Sequence, residues 1–240
     1  MGKEQIAFIF DIDDTLYSQL ELLQGACEGA LGGEKLPDPE LFYRVFTKRS
    51  DEMFRASESG AISIRQSRLN RITNTMRDLG IPFTEEMAED FQARYAYAQD
   101  HLVLSDTLRE MMEACSRLGA KMGVISNGPD AHQRKKFRSL GLEKWISEDC
   151  VFISASVGCA KPGEAIFHAA EARMGLVPET TYMIGDSLAN DIAGAKKTGW
   201  RTIWLNSHKR PLPEPDQMPD YVVSHTEELK RLLEQLLAAK

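Results

Sequence analysis

Short apolar segments without polar alternation recur along the chain, and longer segments with a helical period separate them. The first, at residues 6–10, reads IAFIF and contains no polar residue. This pattern is expected for a strand buried on both faces of a sheet, as strands of parallel sheets are. It predicts strands at 6–10, 121–125, 151–154, 181–184 and 202–205, and a weaker one at 221–223.

The segments between the later strands have apolar residues at helical spacing, and a glycine follows each of them. Glycine is favoured just after a helix because it adopts the left-handed backbone conformation without steric cost. Strands that alternate with helices form βαβ units, in which the strands are parallel and the helices cover the sheet. The sequence therefore predicts an α/β fold with a mainly parallel sheet, and helices at 107–118, 131–140, 165–174 and 192–198 that end at Gly119, Gly141, Gly175 and Gly199.

The alternation of strands and helices is interrupted directly after the first strand. The residues between Leu16 and about Leu102 are predicted to be helical throughout, with breaks at Gly60 and at prolines. A helical insertion at this point has the position of a lid over an active site. We expect a core of residues 1–16 and 101–240 and an inserted cap of residues 17–100, with cap helices at 19–31, 39–57, 64–79 and 85–100.

The composition limits the classes of protein that fit this pattern. Hydrophobic residues make up 42% and charged residues 27% of the chain, and no segment approaches the ~20 apolar residues of a membrane helix. The net charge of −7 argues against a nucleic-acid polymer as partner, because phosphate backbones attract basic surfaces. The four cysteines lack metal-binding spacing, and the first residues lack a signal-peptide pattern. We expect a cytoplasmic protein that binds neither membranes nor nucleic-acid polymers.

Three carboxylates follow the first predicted strand within four residues, at Asp11, Asp13 and Asp14. In an open parallel sheet, ligands bind outside the carboxyl ends of the strands, so this is where a functional site is expected. Aspartate also caps helices, but a cap needs only one such residue, and three neighbouring carboxylates repel one another. A divalent cation relieves this repulsion, which favours a metal site.

Two weaker motifs follow the second and third predicted strands. Ser126 and Asn127 end the second strand and can bond a phosphoryl group through side chain and nearby amides, although Asn-Gly is also a common turn. Lys161 precedes a proline, which holds it extended at a fixed place on its loop. Its ammonium could neutralise a phosphoryl group and nearby aspartates, although a single lysine is usually solvated. Neither motif is decisive alone.

A fourth motif, GDSLAND, follows the strand predicted at 181–184. It places Asp186 at the strand end and Asp191 at the start of the next helix, and Asp186 lies beside Asp11 if the two strands are neighbours. Helix capping explains one of these acids, but it does not explain why four strand ends all carry phosphate or metal chemistry. The conjunction of the four motifs indicates a site for a phosphorylated ligand and a metal ion.

The four motifs, in this order, resemble those of the haloacid dehalogenase-like (HAD) hydrolase superfamily over nearly the whole chain. DIDDT is similar to the family's DxDx[TV] motif, SNG to its Ser/Thr motif, Lys161 to its third motif, and GDSLAND to the GDxxxxD form of its fourth. The insertion after the first motif resembles the helical cap of subfamily I. The resemblance implies a Rossmann-like core with an inserted α-helical cap domain.

The resemblance also implies a phosphohydrolase and a role for each motif. It implies that Asp11 attacks phosphorus and forms a phospho-aspartyl intermediate, and that Asp13 acts first as general acid and then as general base. For Asp14, the remaining acid of the first motif, we expect a helix-start or structural role before a catalytic one. The other implied roles are catalytic and substrate contacts from Ser126 and Lys161, with Asn127 as a further substrate contact. The implied Mg²⁺ ligands are Asp11, the backbone carbonyl of Asp13 and Asp186, and Asp191 supports the metal site either as a ligand or from behind the ligands.

The substrate is less closely constrained by the sequence. GAIS at 60–63 and WLN at 204–206, together with DDTLY, are similar to nucleotidases that act on pyrimidine nucleoside monophosphates. We expect a monomer or homodimer that hydrolyses a small phosphate monoester, with a nucleoside 5'-monophosphate as the leading candidate. Asp13 disfavours a haloacid dehalogenase, whose pattern lacks the second aspartate. A β-phosphoglucomutase-like phosphotransferase would keep every motif, and a non-catalytic relative would usually lose the nucleophile or the acid.

Overall fold

The structure of the protein is a computed structural model that describes residues 5–239. The chain divides into two compact units. The first unit runs to Tyr17 and resumes at Leu102, and the second comprises Ser18–His101. Each unit contains a hydrophobic core of its own.

A six-stranded parallel sheet with the order β3-β2-β1-β4-β5-β6 forms the centre of the first unit. The predicted α/β fold with a parallel sheet is therefore confirmed. The central strand β1 has every residue buried, which explains why its sequence contains no polar position. The strands are β1 Ala7–Phe10, β2 Lys121–Ser126, β3 Val151–Ile153, β4 Thr181–Gly185, β5 Arg201–Leu205 and β6 Tyr221–Val223.

The second unit, whose backbone the structure describes completely, is formed by four helices. Each helix begins directly after a polar residue whose side chain accepts a hydrogen bond from the amide three residues further on. This contact satisfies one of the free amides of the first turn and so determines where the helix starts. The helices are α1 Gln19–Ala30, α2 Pro39–Glu58, α3 Ile64–Asp78 and α4 Glu85–Asp100, with caps at Ser18, Asp38, Ser63 and Thr84.

Aromatic side chains form much of the core of the second unit. Phe91 on α4 is fully buried, and its ring lies 5.9 Å from that of Phe46 on α2 and 5.9 Å from that of Tyr95. The Arg71 guanidinium lies over the Phe46 and Tyr95 rings, at 5.2 and 5.5 Å from their centres. The aromatic cluster thus joins three of the four helices through their buried faces.

Six helices of the first unit follow α4 in the described part of the chain. The predicted glycines all have positive φ angles, between 57° and 80°, as helix ends require. The helix predicted at 192–198 begins as a π-helical turn, Leu188–Ile192, and a C-terminal helix with a buried leucine stripe was not predicted. The helices are α5 Asp106–Arg117, α6 Asp130–Ser139, α7 Ser154–Val157, α8 Glu164–Met174, α9 Ala193–Lys197 and α10 Thr226–Ala238.

The register of the sheet brings the predicted motifs to one edge. Phe10, the last residue of β1, is level with Val124 in β2 and with Ile184 in β4. The amide of Asp11 donates a hydrogen bond to the Ile184 carbonyl at 2.9 Å. Asp11 therefore leaves the middle of the sheet with β2 on one side and β4 on the other, so that the motifs following these strands flank it.

Two expectations from the composition can be compared with the described residues. No helix within residues 5–239 combines the length and apolar character needed to cross a membrane. All four cysteines are free, and Cys27 and Cys115 are buried. Burial raises the pKa of both buried thiols to about 12, so they remain protonated near neutral pH and act as small apolar side chains.

The aromatic core of the second unit generates a prediction for stability. Phe91→Ala should lower the free energy of unfolding by about 3–5 kcal/mol, because it removes a fully buried ring and leaves a cavity. The matched control is Phe54→Ala on α2, where the ring is 62% exposed and the expected change is within about 0.5 kcal/mol. Urea denaturation followed by circular dichroism measures both. Equal losses for the two variants would contradict this assignment of the core.

Candidate active site

Lys161 lies at the centre of a group of buried charges. Its Nζ donates hydrogen bonds to Asp11 Oδ1 at 2.7 Å and to the Ile125 carbonyl at 2.8 Å. It also lies 2.7 Å from Asp191 Oδ1, in an ion pair whose atoms are not aligned as a hydrogen bond. Burial alone would lower the pKa of this lysine, but the two aspartates outweigh burial and raise it. Lys161 is therefore charged and offsets part of the negative charge around it.

Asp11, Asp186 and Asp191 form a carboxylate cluster in which one oxygen of each lies within 4.8 Å of the others. Burial raises the pKa of Asp11 to about 8; Lys161 opposes this rise and Asp191 adds to it. Burial also raises the pKa of Asp186 to about 7, with Asp191 again contributing. The cluster holds more negative charge than its surroundings stabilise, so two of its members tend to retain protons.

The donor set of this cluster fits a hard divalent cation. Carboxylate oxygens are the ligands that such cations prefer, and two positive charges would replace the protons that burial favours on Asp11 and Asp186. The guanidinium of Arg210 already supplies some positive charge, with one nitrogen 3.3 Å from Asp186 Oδ2 and another donating to the Asp186 carbonyl at 3.2 Å. The structure thus brings together Asp11, Asp186 and Asp191, while their role as metal ligands stays a prediction.

Local backbone features explain how Asp186 and Asp191 reach this position. The indole of the buried Trp204 on β5 donates to the Asp186 carbonyl at 2.7 Å and fixes the end of β4. The Asp191 carboxylate accepts a hydrogen bond from the Ser187 amide at 3.0 Å, across the π-helical turn. Gly185 leaves the space for this carboxylate, because a Cβ there would lie 2.2 Å from Asp191 Oδ2.

The Asp13 carboxylate has different surroundings from the cluster. Its Oδ1 accepts hydrogen bonds from the Tyr17 hydroxyl and from Lys136 Nζ, the latter at 2.5 Å, and its Oδ2 accepts one from Gln133 Nε2 at 3.0 Å. Burial by itself would raise the pKa of Asp13, but Lys136 and the three hydrogen bonds together lower it. Two carboxylates two residues apart, Asp11 and Asp13, therefore have their pKa values shifted in opposite directions.

Tyr17, Gln133 and Lys136 were not identified from the sequence. A usable signal existed for two of them, since Gln133 and Lys136 share the buried face of α6 with Phe137. Polar residues on the apolar face of a helix need buried partners. The sequence does not show that Asp13 is this partner, because it lies 120 and 123 residues away from them.

The residues of the second motif occupy distinct positions. Ser126 is the last residue of β2 and is 1% exposed. The Asn127 side chain bonds both main-chain groups of Lys161, donating to its carbonyl at 2.9 Å and accepting from its amide at 2.8 Å. Asn127 therefore holds the loop that carries Lys161. Its predicted contact with substrate, like that of Ser126, stays a prediction.

Asp14 does not start a helix, because the first helix is capped by Ser18. Its backbone has a left-handed φ of 55°, and its carboxylate lies 3.9 Å from His208 Nε2. Asp14 also contributes to the raised pKa of Asp186. Of the helix-start or structural role expected for Asp14, the helix start was wrong, and the residue is a buried acid beside the cluster.

In this site, carboxylates follow the neighbouring strands β1 and β4, and the buried Lys161 ammonium contacts one of them, Asp11. The family model of haloacid dehalogenase-like hydrolases matches residues 7–199. The chain therefore belongs to the haloacid dehalogenase-like hydrolase family, and the predicted resemblance is confirmed.

Several relatives of the chain are phosphatases. It is 27% identical over 240 residues to a glyceraldehyde 3-phosphate phosphatase of Methanopyrus kandleri, covering 96% of this chain and 97% of that protein. It is 38% identical over 118 residues to the pyrimidine 5'-nucleotidase YjjG of Escherichia coli, covering 49% of this chain and 51% of that one. The magnesium-bound structure of the HAD-hydrolase YfnB of Bacillus subtilis shares the fold, with a TM-score of 0.67, 22% identity, and coverage of 96% of this chain and 99% of that chain.

The tight packing at Gly185 generates a prediction for metal binding. In Gly185→Ala the added methyl would collide with Asp191, at 2.2 Å from Oδ2 and 2.4 Å from Cγ, and displace its carboxylate. We expect the affinity for Mg²⁺ to fall about 10–100-fold in isothermal titration calorimetry. Gly25→Ala is the control, because a Cβ there meets nothing within 4 Å. An unchanged affinity in Gly185→Ala would show that the position of Asp191 does not matter for the cation.

Proposed function

We propose that the protein is a Mg²⁺-dependent phosphohydrolase that cleaves small phosphate monoesters through a phospho-aspartyl intermediate. The observation that most directly supports this proposal is the contact between the buried Lys161 ammonium and the Asp11 carboxylate. An anionic nucleophile approaches a phosphate dianion only where fixed positive charge offsets their repulsion. The phosphatases among the relatives support the same reaction class.

In the first half-reaction, a carboxylate oxygen of Asp11 forms a bond to phosphorus. The bond from phosphorus to the leaving-group oxygen breaks, and its electron pair stays on that oxygen. Asp13 transfers a proton to this oxygen and becomes a carboxylate, so the product leaves as a neutral alcohol. Asp11 then carries the phosphoryl group as an acyl phosphate.

In the second half-reaction, the oxygen of a water molecule attacks phosphorus and gives a proton to the Asp13 carboxylate. The bond from phosphorus to the Asp11 oxygen breaks, and its electron pair returns to the carboxylate. Inorganic phosphate leaves, and both aspartates recover their starting states. Asp13 is thus protonated again before the next first half-reaction, and the three donors around it, which favour its carboxylate form, help it to give that proton to the leaving group.

The proposed ligands of Mg²⁺ are Asp11, the backbone carbonyl of Asp13, Asp186 and Asp191. When bound, the ion supplies positive charge to the phosphoryl oxygens. The raised pKa values of Asp11 and Asp186 support this proposal, because a cation favours the ionised forms that burial disfavours.

Lys161 and Ser126 are the proposed contacts for the phosphoryl oxygens. The ammonium of Lys161 is fixed by its hydrogen bond to the Ile125 carbonyl. The two hydrogen bonds between the Asn127 side chain and the Lys161 main chain, here called the Asn127 clamp, hold its backbone. Asn127 is proposed to use its backbone amide toward the substrate, because its side chain bonds Lys161. Residues fixed in this way lower the barrier by positioning charge before the reaction begins.

A nucleoside 5'-monophosphate is the leading substrate candidate, supported by the similarity to the pyrimidine 5'-nucleotidase. The helical unit is proposed to be the cap of subfamily I, as predicted for residues 17–100. A haloacid dehalogenase is disfavoured, because its ester forms at carbon and makes no use of the Asp13 arrangement. A β-phosphoglucomutase-like phosphotransferase would share the first half-reaction and return the phosphoryl group to a sugar.

The nucleophile provides the first test of this function. Asp11→Asn should lower phosphate release more than about 10³-fold in the presence of Mg²⁺, because the amide cannot form the covalent intermediate. Chelation by EDTA should stop the wild-type enzyme, and added Mg²⁺ should restore it. The control is Asp216→Asn, which changes an exposed aspartate and should keep full activity. Activity that survives in Asp11→Asn would exclude the phospho-aspartyl route.

A panel of substrates tests the proposal that the substrate is a nucleoside 5'-monophosphate. The panel contains pyrimidine and purine monophosphates, glyceraldehyde 3-phosphate, phosphoserine, sugar phosphates and an aryl phosphate. We expect UMP or dTMP to give the highest kcat/KM, measured as released phosphate. A higher kcat/KM for a three-carbon phosphate would refute the nucleotidase assignment, and isomerised sugar phosphate without free phosphate would favour the phosphotransferase.

A further inference from the structure

The Asp13 carboxylate is bound by donors at both of its oxygens. Tyr17 and Lys136 donate to Oδ1, and Gln133 donates to Oδ2. Gln133 and Lys136 are three residues apart on α6, so both side chains project from one face of the helix. A carboxylate held at each oxygen keeps one orientation instead of rotating about its Cβ–Cγ bond.

Lys136 is buried although it carries a charge. Its side chain is 5% exposed, whereas the neighbouring Lys135 on the same helix is exposed. Burial of an ammonium is costly unless an opposite charge accompanies it. Here the Asp13 carboxylate lies 2.5 Å away, and the centre of the Tyr17 ring lies 5.7 Å away. The helix therefore directs this ammonium at Asp13 and away from solvent.

Gln133 connects Asp13 with the part of the site that carries Lys161. Its Nε2 also donates to the Asn127 carbonyl at 3.0 Å, and the Asn127 side chain bonds the main chain of Lys161. Gly128 leaves the space for this amide, because a Cβ there would lie 2.9 Å from Gln133 Nε2. One run of hydrogen bonds thus links the carboxylate of Asp13 to the lysine that contacts Asp11.

We propose that Lys136 and Gln133 are positioning residues that fix the Asp13 carboxylate for proton transfer to the leaving group and from water. This inference rests on the proposed function, in which Asp13 is the acid and base. Both residues act through Asp13, which lies between them and the reacting atoms. Because proton transfer needs a short and aligned contact, their loss slows the steps that use Asp13 and spares the attack by Asp11.

Two substrates that differ in their need for a proton test this role. 4-Nitrophenyl phosphate releases a stable phenolate without protonation, whereas glycerol phosphate releases an alkoxide that needs a proton. In Lys136→Met, we expect single-turnover cleavage of glycerol phosphate to slow at least about tenfold, and that of 4-nitrophenyl phosphate to stay within about threefold. Because water attack also uses Asp13, the variant should give a burst of nitrophenolate equal to the enzyme concentration.

Three further variants separate positioning from a structural effect. Lys135→Met changes the exposed lysine of α6 and should leave both rates unchanged. In an Asp13→Asn background, Lys136→Met should cause no additional loss, since its effect passes through Asp13. If Lys136→Met does not fold, Gln133→Leu removes the donor at the other oxygen and should show the same difference between substrates.

The outcomes distinguish this inference from the function on which it rests. Equal slowing of the two substrates by Lys136→Met, or a further loss in the Asp13→Asn background, would overturn the positioning role alone. A raised KM with unchanged single-turnover rates would overturn it as well, because it would indicate direct binding of substrate. A folded wild-type protein that releases phosphate from neither of these substrates nor from any member of the substrate panel would overturn the proposed function itself.

Discussion

The buried charge around Lys161 is the constraint on which the candidate site depends. Three carboxylates converge within a few ångströms, and a single ammonium offsets only part of their charge. Burial is the main cause of the raised pKa values of Asp11 and Asp186, and the negative charge of Asp191 adds to both. A cation of higher charge would complete the balance, which is the physical reason for proposing that Mg²⁺ binds here.

The parallel sheet assembles this charge from distant parts of the chain. β1 lies between β2 and β4, so a single edge collects the residues that follow all three strands. The close approach of the Asp191 and Gln133 side chains to the backbone then requires residues without a Cβ, and Gly185 and Gly128 meet this requirement. At this edge of the sheet, Asp11 lies close to other carboxylates, whereas Asp13 is surrounded by side chains that donate hydrogen bonds to it. Neighbouring carboxylates with such different surroundings can take different chemical roles.

The sequence was sufficient for the sheet and for the residues that follow its strands, because buried strands and strand-end motifs are local patterns. It was not sufficient to predict contacts between residues far apart in the sequence. Gln133 and Lys136 contact Asp13 only after the chain has folded. Of the two roles expected for Asp14, the helix start was wrong, because the chain makes a left-handed turn there and Ser18 provides the cap. The position of Asp191 follows from a π-helical turn. The spacing of apolar residues does not reveal the hydrogen bonding of such a turn.

The clamp between Asn127 and Lys161 also bears on chemical ageing of the chain. An Asn-Gly pair deamidates readily when the glycine amide nitrogen can attack the asparagine side-chain carbonyl. Here that side chain is held by two hydrogen bonds, and the Gly128 amide is directed to Ser154 Oγ at 2.9 Å. Folding therefore protects the pair from succinimide formation. An aspartate formed there after unfolding would place a carboxylate oxygen against the Lys161 carbonyl and loosen the lysine on which the charge balance rests.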